Sequence, residues 1–148
     1  MNSISPQMRT VATQLISDEA KASPLSASAE ATKVAVVEKL RPHLSTLMGK
    51  SGFRALLSRA LALAVSEAPW LAGVQVNAEG FLELQVPNDL KLDAQQIFAG
   101  HVALVAHLLG LLVAFIGEIL TIRLVCETWP LLPVNDYFNQ GDDHEETN

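Results

Sequence analysis

Residues 97–126 read IFAGHVALVAHLLGLLVAFIGEILTIRLVC. Wound as a helix, this stretch is apolar on every side for most of its length. Positions 94–117, between Asp93 and Glu118, are 24 residues without Asp, Glu, Lys or Arg. A helix that is apolar all round belongs in a protein core or in lipid. About 20 apolar residues suffice to cross a bilayer, so length alone permits both.

The ends of the segment carry helix signals. Asp93 can accept from the first free N–H groups, and Gln96 stands three residues later, the spacing of a capping box. Trp129-Pro130 sets the far limit, because a residue before proline avoids helical angles. The pattern therefore predicts one helix over 93–127, about 35 residues and about 50 Å long. Small residues recur along it at spacings of three and four: Ala99, Ala103, Ala106, Gly110, Ala114, Gly117 and Thr121. Such a stripe lets another backbone approach closely, in membranes or in soluble bundles. Ala103, Ala106, Gly110, Ala114 and Gly117 are the interface candidates.

Several features weigh against lipid. His101 and His107 fall inside the segment, and three glycines weaken an isolated helix. The apolar pattern also runs past Glu118 through Ile119, Leu120, Ile122, Leu124 and Val125, further than a bilayer requires. The positive mean hydropathy of the chain weighs the other way. A buried helix of a soluble bundle accounts better for the whole stretch.

At 148 residues the chain is one domain with room for a real core. Aromatic residues are only 5 %, so Leu, Ala and Val fill the interior, which favours helices. Residues 1–117 hold nine acidic and nine basic side chains; residues 118–148 hold seven acidic and one basic, Arg123. The whole net charge of −6 therefore lies at the C-terminal end. Nucleic acid is disfavoured as a partner, since phosphate binding needs clustered Lys and Arg. Cys126 is the only cysteine, which fits a reducing compartment. The opening MNSISPQMRTVATQLISDEA has no uninterrupted apolar core of the secretory kind. The expected location is cytoplasmic, with the membrane as the alternative.

Outward from the central segment, residues 1–30 are rich in Ser, Ala and Thr and read as a flexible N-terminal segment. A short helix over 10–22, built on Val11, Leu15 and Ile16, is the alternative. A helical domain follows over 31–139. Val34, Val37, Leu40, Leu44, Leu47 and Met48 have helical spacing, giving a helix over 32–48 that Pro42 either kinks or restarts. Gly49-Lys50-Ser51-Gly52 breaks the chain. Phe53, Leu56, Leu57, Ala60, Leu61, Ala64 and Val65 give a helix over 53–67, and Trp70 and Leu71 follow to cap the core. Over 74–86 the period changes to two. Val74 and Val76, then Leu82, Leu84 and Val86, alternate with polar residues around the turn Asn77-Ala78-Glu79-Gly80. That is a β-hairpin with one apolar face. Residues 140–148 (QGDDHEETN) read as an acidic disordered tail.

Motifs for chemistry do not survive inspection. Gly49-Lys50-Ser51 resembles the end of a phosphate-binding loop, but that loop needs a glycine where Leu44 stands, and a preceding strand. His101 and His107 lie about 120° apart round a helix, so they do not share a metal-facing side. His107 and Glu118 share a face but stand about 16 Å apart along it, too far for an acid–base pair. Glu118, among apolar neighbours, must be paired or reach water. Arg59 and Arg123 are its candidate partners. His107, Glu118, Arg59 and Arg123 are thus the polar core candidates. Nothing near Cys126 in sequence would activate its thiol. No catalytic residue, metal ligand or cofactor site is indicated.

The expectation is mainly α: a small helical bundle around one long buried C-terminal helix, with a β-hairpin packed on one side. Two helices of half its length cannot sheathe a rod of about 50 Å. The surplus apolar surface calls for a homo-oligomer or a partner protein. The expected function is a non-enzymatic protein–protein interaction module, an adaptor, regulator or assembly subunit. The alternatives are a single-span membrane protein with a cytoplasmic helical region, and a ligand-binding or enzymatic helical domain using His107 and Glu118.

Overall fold

The structure is a computed structural model, and it describes residues 6–22, 34–84 and 93–130. In order they form α1 (Pro6–Ala22), α2 (Ala35–Ala64), a short 3-10 turn (Pro69–Gly73), β1 (Val74–Val76), β2 (Leu82–Leu84), α3 (Ala94–Ile116) and α4 (Glu118–Thr128). The fold is the expected mainly α bundle carrying one antiparallel hairpin.

The bundle is organised on α3. Its start is the predicted capping box: Gln96 N–H donates to Asp93 Oδ1 at 2.7 Å, and Asp93 N–H donates to Gln96 Oε1 at 3.0 Å. From His101 to Leu109 all nine consecutive residues are buried, so this part is covered on every side. α1 and α2 both pack against it.

α1 corrects the sequence reading. The first 30 residues read as a flexible segment, with a short helix over 10–22 as the alternative; Pro6–Ala22 is that helix, begun four residues earlier. Met8, Val11, Ala12, Leu15 and Ile16 are buried in the common core. Their spacing of three and four places them on one stripe, with Arg9 and Thr13 outside it. Most of the stability of such a helix in a protein comes from packing its apolar face rather than from propensity. Burial stabilises it: a fully buried Leu or Val is worth about 1.5–3 kcal/mol.

In α2 the expected break appears, in a different form. The helix passes through Pro42 and departs from helical angles only at Gly49, whose φ is +81°. It resumes at once, so the two predicted helices are arms of one kinked element. Val36, Val37, Leu40 and Leu44 bury one arm; Phe53, Leu57, Ala60, Leu61 and Ala64 bury the other.

The hairpin pairs Val74 with Leu84 and Val76 with Leu82. Gln85 and Val86, expected in its second strand, lie outside the described residues, as does the acidic segment 140–148. Asn77 builds the turn by accepting at Oδ1 from the N–H groups of Glu79 (2.9 Å) and Phe81 (3.0 Å). Two arginines of α2 hold that turn. Arg41 donates to Gly80 O at 2.8 Å, and Arg54 to Asn77 O at 3.0 Å. The Arg41 guanidinium also lies over the rings of Phe53 and Phe81, 5.0 and 4.1 Å from their centroids. Cation–π contact and hydrogen bond together place the hairpin on α2.

The helix expected over 93–127 is broken. Gly117 has φ +93° and ψ 159°, which ends α3 and begins α4. A side chain there would strain the backbone, and only glycine takes such angles freely. The apolar pattern gave no hint of the break because it continues unchanged on both sides. Beyond it, Thr121, Val125 and Trp129 carry α4 back into the core, and α4 also touches α2.

Candidate functional site

Three elements meet at one ionic clip. Glu67, just past the end of α2, receives Arg9 of α1 and His107 of α3. Arg9 spans both carboxylate oxygens, with Nη1 2.8 Å from Oε1 and Nη2 2.9 Å from Oε2. Nε2 of His107 lies 2.8 Å from Oε2. A carboxylate only accepts, so Nε2 carries the proton. The Arg9 guanidinium holds the Glu67 carboxyl below its ordinary range; partial burial pushes the other way, and the His107 hydrogen bond adds to the lowering.

His107 was expected as a polar core residue, and it is buried, at 5 % exposure. Its partner, Glu67, is the residue the sequence reading missed. Glu67 sits in Ser66-Glu67-Ala68-Pro69, which reads as a solvated helix end. Only the three-dimensional approach of α3 reveals its role. The pair has the composition of a base and its orienting carboxylate. Its chemistry is closed, however: Nε2 is engaged, the ring is covered and both carboxylate oxygens are occupied. The clip ties helices together.

The other polar core candidates lie on the surface. Glu118, Arg59 and Arg123 are exposed, and none forms an ion pair with a described residue. The break at Gly117 is the reason for Glu118. It makes Glu118 the first residue of α4, where a carboxylate meets water and the positive end of the helix dipole. The candidate Glu118–Arg59 pair is not formed among the described residues; Glu118 reaches water, the other outcome open to it. Cys126 is half-buried, and burial pushes its thiol pKa up, away from thiolate chemistry.

The interface candidates divide along α3. Ala103 and Ala106 are buried inside this chain's own core. Gly110 is half-buried, and a Cβ placed on it meets nothing within 4 Å among the described residues, so none of their backbone closes on it. Ala114 and Gly117 are exposed. The same division shows in the large side chains. Phe115 is 65 % exposed, Ile119 73 % and Leu120 47 %. All three lie within two or three residues of the Gly117 break. The sheath that covers His101–Leu109 thus ends before the rod does.

Gln95–Ile116 is long and apolar enough to cross a membrane, but about two thirds of its apolar window is buried within this fold. The chain matches no protein-family model, no curated protein and no solved structure.

Proposed function

We propose that the protein is a non-enzymatic protein–protein interaction module that self-associates through the uncovered end of its long apolar helix. One observation carries this reading: Phe115 at the end of α3 and Ile119 and Leu120 at the start of α4 stand open, beyond a stretch, His101–Leu109, that is wholly enclosed. Contiguous large apolar groups on a soluble protein mark a contact surface more often than a bare one. The closed chemistry of the His107–Glu67 pair supports a binding rather than a catalytic role. A cytoplasmic adaptor, regulator or assembly subunit fits this reading.

The membrane-spanning alternative would need His101 and His107 in lipid and α1 stripped from α3. Sedimentation equilibrium over a wide concentration range, without detergent, tests the reading. The full chain should associate, and Ile119→Glu should shift it to monomer with its helical circular dichroism unchanged. A wild-type monomer at every concentration, or recovery of the chain only in membranes, would overturn it.

A further inference from the structure

The break at Gly117 is one residue wide, and helical hydrogen bonding runs up to it from both sides. Gly117 N–H donates to Val113 O at 2.9 Å, and Thr121 N–H donates to Gly117 O at 3.1 Å. Between these two bonds lie matching groups. A helix end leaves its last carbonyls and its first N–H groups without intrahelical partners. Here they are the carbonyls of Ala114, Phe115 and Ile116 and the N–H groups of Glu118, Ile119 and Leu120, and no side chain caps the start of α4. Turning Gly117 to helical angles would join the two sets and make α3 and α4 one rod. No described element stands in the way. Of residues 114–120 only Ile116 is half-buried and the rest are exposed, and a Cβ at Gly117 meets nothing within 4 Å among the described residues.

What holds the bend is the far side of α4. Thr121, Val125 and Trp129, at spacings of four, are buried against the rest of the chain. Straightening pulls this stripe out of its seat and leaves stripe and seat both open. The group that refills the seat with equal fit is the same stripe of a second copy, and short hinges under strain invite that exchange. We propose that Gly117 is a hinge for such an exchange: α3 and α4 straighten into one helix, and the α4 of each of two copies occupies the other's seat through Thr121, Val125 and Trp129. Glycine keeps the closed form dominant, because it takes φ +93° and ψ 159° freely and because it weakens a straight helix. Exchange differs from the surface contact read above: it uses buried residues of α4, and the exposed Ile119 and Leu120 are not among them.

The test is gel filtration of the full chain before and after dilution. An exchanged dimer separates only when α4 leaves its seat, so it outlives dilution; a surface contact re-equilibrates at once. Alanine at 117 strains the closed form in both copies and suits the straight helix. Gly117→Ala should therefore tighten dimerisation about a hundred-fold, in a species that outlives dilution and keeps its helical circular dichroism. Gly110→Ala, a helix-favouring change away from the hinge, should produce no such species. Adding Ile119→Glu to Gly117→Ala should leave the persistent dimer intact. Wild type held concentrated at the onset of thermal unfolding gives a reading free of any substitution: the same slow dimer should accumulate. No persistent dimer from either Gly117→Ala or warmed wild type, or a persistent dimer that Ile119→Glu dissolves or that Gly110→Ala also forms, overturns the exchange and leaves the surface contact standing. A wild type that is monomeric at every concentration in the cold, yet forms the persistent dimer on warming, overturns the surface contact and upholds the exchange.

Discussion

Nε2 of His107 stands 2.8 Å from Oε2 of Glu67, a residue 40 positions earlier in the chain. The contact is unequal in its surroundings. His107 is buried, whereas Glu67 reaches water and is also held by Arg9. Removing different members of the clip should therefore cost different amounts. Glu67→Ala leaves a buried imidazole N–H without its acceptor, at a cost of about 1–3 kcal/mol. Arg9→Ala removes only an exposed ion pair, worth about 0.2–1 kcal/mol. Urea denaturation should rank Glu67→Ala well above Arg9→Ala. Equal losses would mean that the carboxylate serves Arg9 alone.

The same carboxylate gives the fold a pH signature. The Arg9 guanidinium lowers the Glu67 pKa in the folded state below its ordinary value of 4.5, with help from His107 and against partial burial. In the window just below 4.5 the unfolded chain then binds more protons, so stability rises with pH there. The contribution is fully present above the unfolded value and is lost as pH falls through the folded one. Wild type should lose more stability than Glu67→Gln on acidification through this window. Denaturation midpoints for the two, followed from pH 7 to pH 3, should converge. Parallel curves would remove Glu67 as the source.

Trp70 is packed onto α3 at the level of Gly100. Its Nε1–H donates to Gln96 O at 3.1 Å. A Cβ built on Gly100 would lie 2.4 Å from the ring's Cζ2, closer than real contacts allow. Gly100→Ala must push the indole away, breaking that hydrogen bond, and overpacking of this kind costs about 1–3 kcal/mol. Trp70→Leu in the same chain should recover part of the loss, and tryptophan fluorescence should report the displaced ring. An alanine accepted without cost would show that the ring does not seal this end of α3.

Much of this architecture was legible and some was not, for physical reasons that differ by element. The α3 cap was readable because Asp93 and Gln96 act locally. The hairpin was readable because Val74, Val76, Leu82 and Leu84 alternate around a turn-forming asparagine. α1 was readable only as an alternative, because a Ser- and Ala-rich segment takes most of its helical stability from burying Val11 and Leu15 against α3. At the clip, His107 announced itself as a polar group in an apolar run. Glu67 did not, since a glutamate at a helix end before proline is usually a solvated one. The exposed end of the rod was foreshadowed by the shortage of covering helix. Its location was not, because that depends on where α1 and α2 stop.

Two glycines of the central segment should respond in opposite directions to the same change. Gly117 has φ +93°, with open space where a Cβ would go, so Gly117→Ala meets no clash and suffers only backbone strain. That strain is about 1–3 kcal/mol for an L-residue held in this extended, essentially glycine-only region of positive φ. Gly110 lies inside α3 without a positive φ, and its Cβ position is equally open. There alanine should stabilise the helix by about 0.5–1 kcal/mol. Thermal unfolding of the two variants separates them by sign. The sedimentation behaviour of Gly110→Ala carries a second reading. If a partner helix closes on Gly110, the added methyl will weaken association even as the monomer gains stability. If the contact is the α4 face around Leu120, association will be untouched.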